Sequence, residues 1–494
     1  MEKAVFLKKT VTIPKENRWV RIAQLIPWEN YEAQYTDQLK SNHGGPNAFS
    51  VRTALGALII KTKLNLSDRE TVQAIAENPA MQYLVDVDIS YGEAPFAPSM
   101  MTFFKERLSE DVINQVNEEL VLRMLSDLQE SDDEEDEEEE SSEDDDEPPS
   151  ANHESENKGH LILDATCAPG DIRYPTDFHL LNKSREIAEM IIDLLHAPDV
   201  GKKRIPRTYR NQARADYLSL EKLRRKPHDR IREGIKKQLA YVKRDIGYIE
   251  NYRQHHPERF ENLSTKLKEK YDTILKVYEQ QQTMYETRTH SVPDRIVSIH
   301  QPYIRPIVRG KAGKPTEFGI KMNTSVVEGF VFIDYMSFDS FNEGTYLEDS
   351  VERYRERFGY YPEVVIADTI YRNRNNRALL VKKGIRISGP ALGRKPKDLE
   401  KAKERRVIEK KDAAIRNQVE GGYGVAKRKY GLDRIKERTE HTFRTKVSLV
   451  FLVMNIDKVL RDFFAHFFGN RVWMPTILRS HSYRCSVTTG NWVA

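Results

Sequence analysis

The chain has 494 residues, and a length of this order points to two to four domains rather than one core. It contains no run of the ~18–20 apolar residues that a membrane span needs, its two cysteines (Cys167 and Cys485) exclude a disulfide framework or a four-cysteine zinc site, and the short apolar stretch near Met1 lacks the cleavage site of a signal peptide, so a reducing, cytoplasmic setting is expected. The net charge of +3 conceals a cancellation: residues 132–140 and 143–147 are all Asp or Glu, and with those fourteen charges set aside the rest carries +17, which suggests a polyanionic partner, most simply nucleic acid.

Residues 1–129 read as an all-α first unit. Val51 to Lys63 is rich in Ala, Leu and Ile at helical spacing, and Ser67 with Glu70 forms a capping box that opens a helix from about Asp68 to Ala76. Such a pair suits a DNA-binding helix-turn-helix and an ordinary helical bundle equally. A further helix is expected over Ser99 to Leu108. Residues 130–158 hold the acidic run and Pro148-Pro149; with like charges in repulsion and little to bury, an unstructured linker is expected.

Order resumes at residue 159, where Leu161 to Thr166 reads as a buried strand interrupted by Asp164, followed by a helix near Ser184 to Leu195. Residues 201–290 form a helical insertion. From Gly201 to Arg253 it holds 17 Lys and Arg against 6 Asp and Glu, with five interleaved tyrosines. Contact with phosphates is one reading and a solvated helical hairpin the other. Residues 291–468 begin with strands at Tyr303–Val308, Glu317–Met322 and Phe330–Tyr335, separated by glycine-containing turns. A helix over Leu347–Phe358 leads into Val364–Ala367, an apolar strand ending at Asp368. From about Leu399 to Phe468 the chain is helical, and residues 469–494 form an uninformative tail. This order of elements implies an α/β core with helices on both faces.

Three carboxylates stand out. Asp164 lies inside an otherwise apolar strand, where an unpaired charge is costly. Asp368 ends an apolar strand, where open α/β sheets place their ligands. Glu420 lies on the final helical stretch, with Arg416, Tyr423 and Lys427 at spacings that put all four on one face. Acidic oxygens on rigid elements suit Mg²⁺, and a pair of such ions about 3.5–4 Å apart serves phosphodiester transfer. A strand-end cap and a surface Arg–Glu pair are the plain alternatives. Asp171, Asp177, Asp334 and Asp339 are weaker candidates, because none ends an apolar strand as cleanly.

These residues resemble the DDE transposases of bacterial insertion sequences, in particular the group with an InsH-type N-terminal domain. The resemblance is carried by Leu64-Asn65-Leu66-Ser67-Asp68-Arg69-Glu70-Thr71-Val72, by Leu163-Asp164-Ala165-Thr166 with Tyr174-Pro175-Thr176-Asp177, and by Arg309-Gly310-Lys311 with Glu317-Phe318-Gly319. It continues through Ile366-Ala367-Asp368 with Tyr371 and the set Arg416, Glu420, Tyr423, Lys427. Thr369-Ile370 stands where Arg-Gly is often seen. The resemblance implies a ribonuclease-H-like catalytic core broken by the long helical insertion. It also implies catalysis by Asp164, Asp368 and Glu420 holding two Mg²⁺ ions, for which Mn²⁺ can substitute. DNA contacts would come from Arg416, Tyr423, Lys427, Arg309 and Lys311. Terminal inverted repeats and target DNA are the expected substrates, cut and then joined by strand transfer, with a homodimer assembled on DNA in the bacterial nucleoid. A metal-dependent nuclease without strand transfer, or an inactive DNA-binding descendant, would carry the same residues.

Overall fold

The computed structural model describes residues 12–37, 48–90, 92–139, 157–311, 314–390 and 399–467. Seven helices come first: α1 (Arg18–Leu25), α2 (Glu29–Asp37), α3 (Val51–Leu64), α4 (Asp68–Glu77), α5 (Pro79–Val85), α6 (Met100–Arg107) and α7 (Glu110–Glu139). Helix α3 is apolar nearly all round and accordingly buried along most of its length. The expected capping box at Ser67 and Glu70 is formed and opens α4. Helix α7 runs past the expected boundary and takes in the acidic residues up to Glu139. Its packed first half supplies the nucleus, and glutamate propagates a helix well. The remainder of the acidic linker, residues 140–156, and the tail from 468 lie outside the described residues.

Strand β1 (His160–Pro169) is followed by α8 (Asp177–His196), α9 (Arg210–Glu221), α10 (His228–His255), α11 (Pro257–Glu261) and α12 (Thr265–Thr287). Helix α8 begins seven residues earlier than its apolar periodicity suggests, because the Thr176 side chain caps it by accepting from the His179 N–H. Helices α8, α10 and α12 enclose a hydrophobic core of their own, closed by Ile296 and Ile299. Helix α8 therefore shares a core with the helices of residues 201–290.

The chain then forms β2 (Arg305–Lys311), β3 (Lys314–Val327), β4 (Phe330–Ser337), α13 (Leu347–Phe358), β5 (Val364–Ala367), α14 (Arg374–Lys382), β6 (Arg386–Ile387), α15 (Leu399–Tyr430) and α16 (Glu440–Phe467). The sheet runs β4–β3–β1–β5–β6, with β2 alongside the first part of β3. Strands β3 and β4 meet at a two-residue turn, where Glu328 and Gly329 both have positive φ. Strand β1 is antiparallel to β3 and parallel to β5, and β5 is parallel to β6. Gly319 makes the β1–β3 approach possible, since a Cβ there would lie 2.0 Å from the Ala168 carbonyl oxygen.

Helices cover both faces, as side-chain alternation dictates. Asn323 donates to Ser350 of α13 on one face; its neighbour Thr324 meets Tyr423 of α15 on the other. One continuous apolar core joins the sheet to α13, α15 and α16 and to the N-terminal helices. Among the described residues, no helix is long and apolar enough to cross a membrane.

Candidate active site

The first two carboxylates are placed by backbone register. In the parallel pair β1–β5, Leu163 lies opposite Ala367, so the next residues, Asp164 and Asp368, stand side by side on strands about 4.8 Å apart. Asp368 leaves the sheet as the N-cap of a short 3₁₀ turn. Its Oδ1 accepts from the Thr369 N–H at 2.6 Å and from the Thr369 hydroxyl at 3.2 Å, while the side chain stays 45% exposed. Asp164 Oδ1 accepts from the Ala165 N–H at 2.8 Å.

The third carboxylate arrives on α15. The inward stripe of this helix is Asp412, Val419, Tyr423, Ala426 and Tyr430, spaced by seven, four, three and four residues. Glu420 lies on the border of that stripe and its side chain is 58% exposed. One nitrogen of Arg416, Nη2, lies 3.4 Å from Asp368 Oδ2 and 3.4 Å from Glu420 Oε1. A single guanidinium thus bridges a carboxylate of the sheet and one of the helix. Asp164 feels the same cluster. Burial, foremost, pushes its carboxyl above the ordinary range. The Ala165 N–H and Arg416 pull it down, and the charges of Glu420 and Asp368 raise it further.

Tyr423 does not share the outward face expected for it. It is 7% exposed, and its hydroxyl meets that of Thr324, the residue opposite Asp164 in the sheet. The step of three residues from Glu420 turns it inward, and the spacing argument alone did not fix which side of α15 faces the sheet. Since Thr324 Oγ1 donates to the Asp164 carbonyl oxygen at 3.1 Å, it accepts the Tyr423 proton. Lys427 is half-buried on the border of the stripe. Arg309 and Lys311 lie on β2, and their side chains fall outside the described residues.

Sequence reasoning missed Thr369, which holds the Asp368 carboxylate, Thr324, which bonds the Asp164 backbone carbonyl, and Arg372 as a second cation. Arg372 donates to the Ala367 carbonyl oxygen at 3.2 Å, one residue before Asp368. Burial lowers its pKa, and the nearby Arg377 acts in the same direction. A polar residue beside a strand-end Asp carries no signal of its own in a single sequence. The competing acids have partners elsewhere: Asp334 with Arg357 at 3.2 Å, Asp177 with Arg295 at 2.7 Å, and Asp171 with Arg434 at 2.7 Å. Asp339 is exposed and 3.7 Å from Arg305.

Among the described residues, no three His, Cys, Asp or Glu side chains are grouped closely enough to hold a metal ion. Asp368 and Glu420 flank a cation that is already present, the Arg416 guanidinium, whose charge also acts on Asp164. As a donor set Asp164, Asp368 and Glu420 are three carboxylates with no sulfur or imidazole, which suits a hard divalent ion.

Comparison with known proteins bears on both ends of the chain. Residues 365–457 match the family described as transposase DDE domain, and residues 9–107 match a family described as a transposase domain, DUF772. The first match includes Asp368 and Glu420 and begins well after Asp164. An uncharacterised protein, ORF8 in the nfe locus of Rhizobium meliloti, is 26% identical over 168 residues, covering 34% of this chain and 69% of that protein. No solved structure matches.

Proposed function

We propose that this chain, which belongs with the DDE transposases by the families matched at both its ends, cuts DNA at the terminal inverted repeats of a mobile element and joins the freed ends to target DNA. The observation that carries the reading is the placement of Asp164 and Asp368 side by side by strand register, with Glu420 tied to Asp368 through Arg416. The strand order β4–β3–β1–β5–β6, with one antiparallel side and one parallel side, supports a ribonuclease-H-like core.

In this reading Asp164, Asp368 and Glu420 would hold two Mg²⁺ ions, or Mn²⁺ in their place. The ions would supply an activated oxygen nucleophile and neutralise charge on the leaving oxygen. The chain's own groups set the geometry. Thr369 fixes one oxygen of Asp368 and leaves Oδ2 directed at Arg416. Ala165 holds one oxygen of Asp164, and Thr324 anchors both β1 and α15. Arg416 and Lys427, with Arg309 and Lys311, are the cations that would meet backbone phosphates. Two ends must be cut together, so a homodimer on DNA is expected, acting in the bacterial cytoplasm at the nucleoid.

The test is incubation of the protein with duplexes carrying the element's ends, a target plasmid and Mg²⁺. Nicks at the end and joined products are expected for the wild type, and neither for Asp368→Asn or Glu420→Gln. Cleavage that persists in Asp368→Asn would refute the assignment. Nicks without joined products would leave a nuclease in place of a transposase.

A further inference from the structure

Helix α9 carries a basic loop at each end. Lys202, Lys203 and Arg204 precede it and Lys222, Arg224 and Arg225 follow it; all six are exposed, and none makes a side-chain hydrogen bond or ion pair among the described residues. Over residues 201–230 the chain holds eleven Lys and Arg against three Asp and Glu. Two of those acids are already neutralised: Asp216 accepts from Lys237 and Tyr241, and Glu221 pairs with Arg173 and Lys226. At twelve residues, α9 holds the two loops about 18 Å apart. Its inner side is fixed to the insertion by Ala213, Tyr217 and Leu220, so the opposite side, with Arg214, faces solvent.

The position of this surface follows from strand direction. Strand β1 continues five residues beyond Asp164 to Pro169, about 17 Å, and leaves the sheet at the end where β5 delivers Asp368. The segment just beyond β1 then grips the C-terminal turn of α9. Arg173 pairs with Glu221, His179 is hydrogen-bonded to the Tyr217 hydroxyl at 3.0 Å, and Phe178 stacks on Tyr217. The basic ridge is therefore rooted at the end of the sheet toward which β1 and β5 both run, the end at which Asp368 stands.

We infer that the outer side of α9 and its two basic loops form a sequence-indifferent seat for the duplex backbone, holding DNA that flanks the bond at the carboxylates. The inference rests on the transposase reading and adds to it a surface that neither matched family region includes. Unpaired arginines at a spacing fixed by a helix attract any duplex through its phosphates and read no bases.

The test compares two double variants of the full chain, each removing two exposed cations. Arg224→Ala with Arg225→Ala removes them from the ridge. Lys158→Ala with Lys382→Ala removes them from the opposite end of the sheet. Binding of a duplex of about 30 base pairs and arbitrary sequence is measured across a salt series, with thermal melting as a check on folding. The ridge variant is expected to bind about tenfold or more weakly at fixed salt, with a slope of log affinity against log salt shallower by about 2, because each lost phosphate contact removes about 0.9. The control variant is expected to stay within about threefold of wild type. A ridge variant that matches the control in affinity and slope overturns the inference and leaves the transposase reading standing. A wild type that retains no duplex at low salt overturns both. Should the ridge variant melt early, Lys202→Ala with Lys203→Ala at the other loop provides the same comparison.

Discussion

Arg416 carries the electrostatics of the site at the level of single residues. Its guanidinium balances Asp368 and Glu420 together, so Arg416→Gln leaves two acids facing a polyanionic substrate. Cleavage is expected to fall about 10²-fold, the scale on which loss of one preorganised charge-stabilising donor acts, with partial recovery in Arg416→Lys and little change in melting. End-nicking rates on the two variants check this, and equal rates for Gln and wild type would remove Arg416 from the site. Tyr423→Phe deletes only the hydroxyl that Thr324 accepts, a loss of about 1 kcal/mol in stability. The places of Asp164 within a strand and Asp368 at the end of one were legible in the sequence, because the apolar runs around them mark both strands. Tyr423 was not legible as a sheet contact. Four residues at helical spacing define a stripe on α15, and the stripe that packs includes Asp412, Val419 and Ala426 as well.

The insertion contains a buried charge that gives it a pH dependence at the level of elements. Asp245 of α10 is fully buried, and neither of its oxygens has a hydrogen-bond partner. Burial first, and then the charge of Glu189 on α8, pushes its carboxyl up to about 8, against the pull of Arg185, Arg244 and Arg210. The folded protein thus favours the protonated acid. The stabilisation is fully present below the unfolded pKa near 4 and is lost as pH rises through about 8. Asp245→Asn is expected to melt a few degrees higher than wild type at pH 8 and to match it near pH 4; parallel melting curves across that range would count against this. Period-2 and period-3.6 patterns located most of the strands and helices. The extent of β3, 14 residues against the expected six, was not legible, because its pairing with β1, β2 and β4 is a property of the sheet rather than of local pattern.

For the whole molecule, one buried amide sits where the N-terminal helices, the last helix and the sheet meet. Asn455 of α16 accepts from the Val331 N–H at 3.0 Å and donates to the Val331 carbonyl oxygen and to Asn117 of α7, both at 2.8 Å. It thereby pairs both backbone groups of Val331 in the outer strand β4 and ties that strand to two helices. Asn455→Leu is close in volume but strands the Val331 N–H and the Asn117 amide oxygen, while the Val331 carbonyl keeps the Asn117 amide as donor. The loss is about 2–4 kcal/mol, so the melting temperature is expected to drop in one transition shared by the N-terminal helices and the sheet. Separate transitions, resolved by calorimetry, would mean the two regions fold independently.

The carboxylates are set in two different ways, and their tolerances to error differ accordingly. Strand pairing is quantised: a slip of one residue in β1 sends Asp164 through to the opposite side of the sheet. A helix resting on side chains can roll by small angles, so Glu420 drifts rather than jumps. Repacking beneath β1 or β5 should therefore give catalysts that either work or fail outright, whereas repacking beneath α15 should give a graded series.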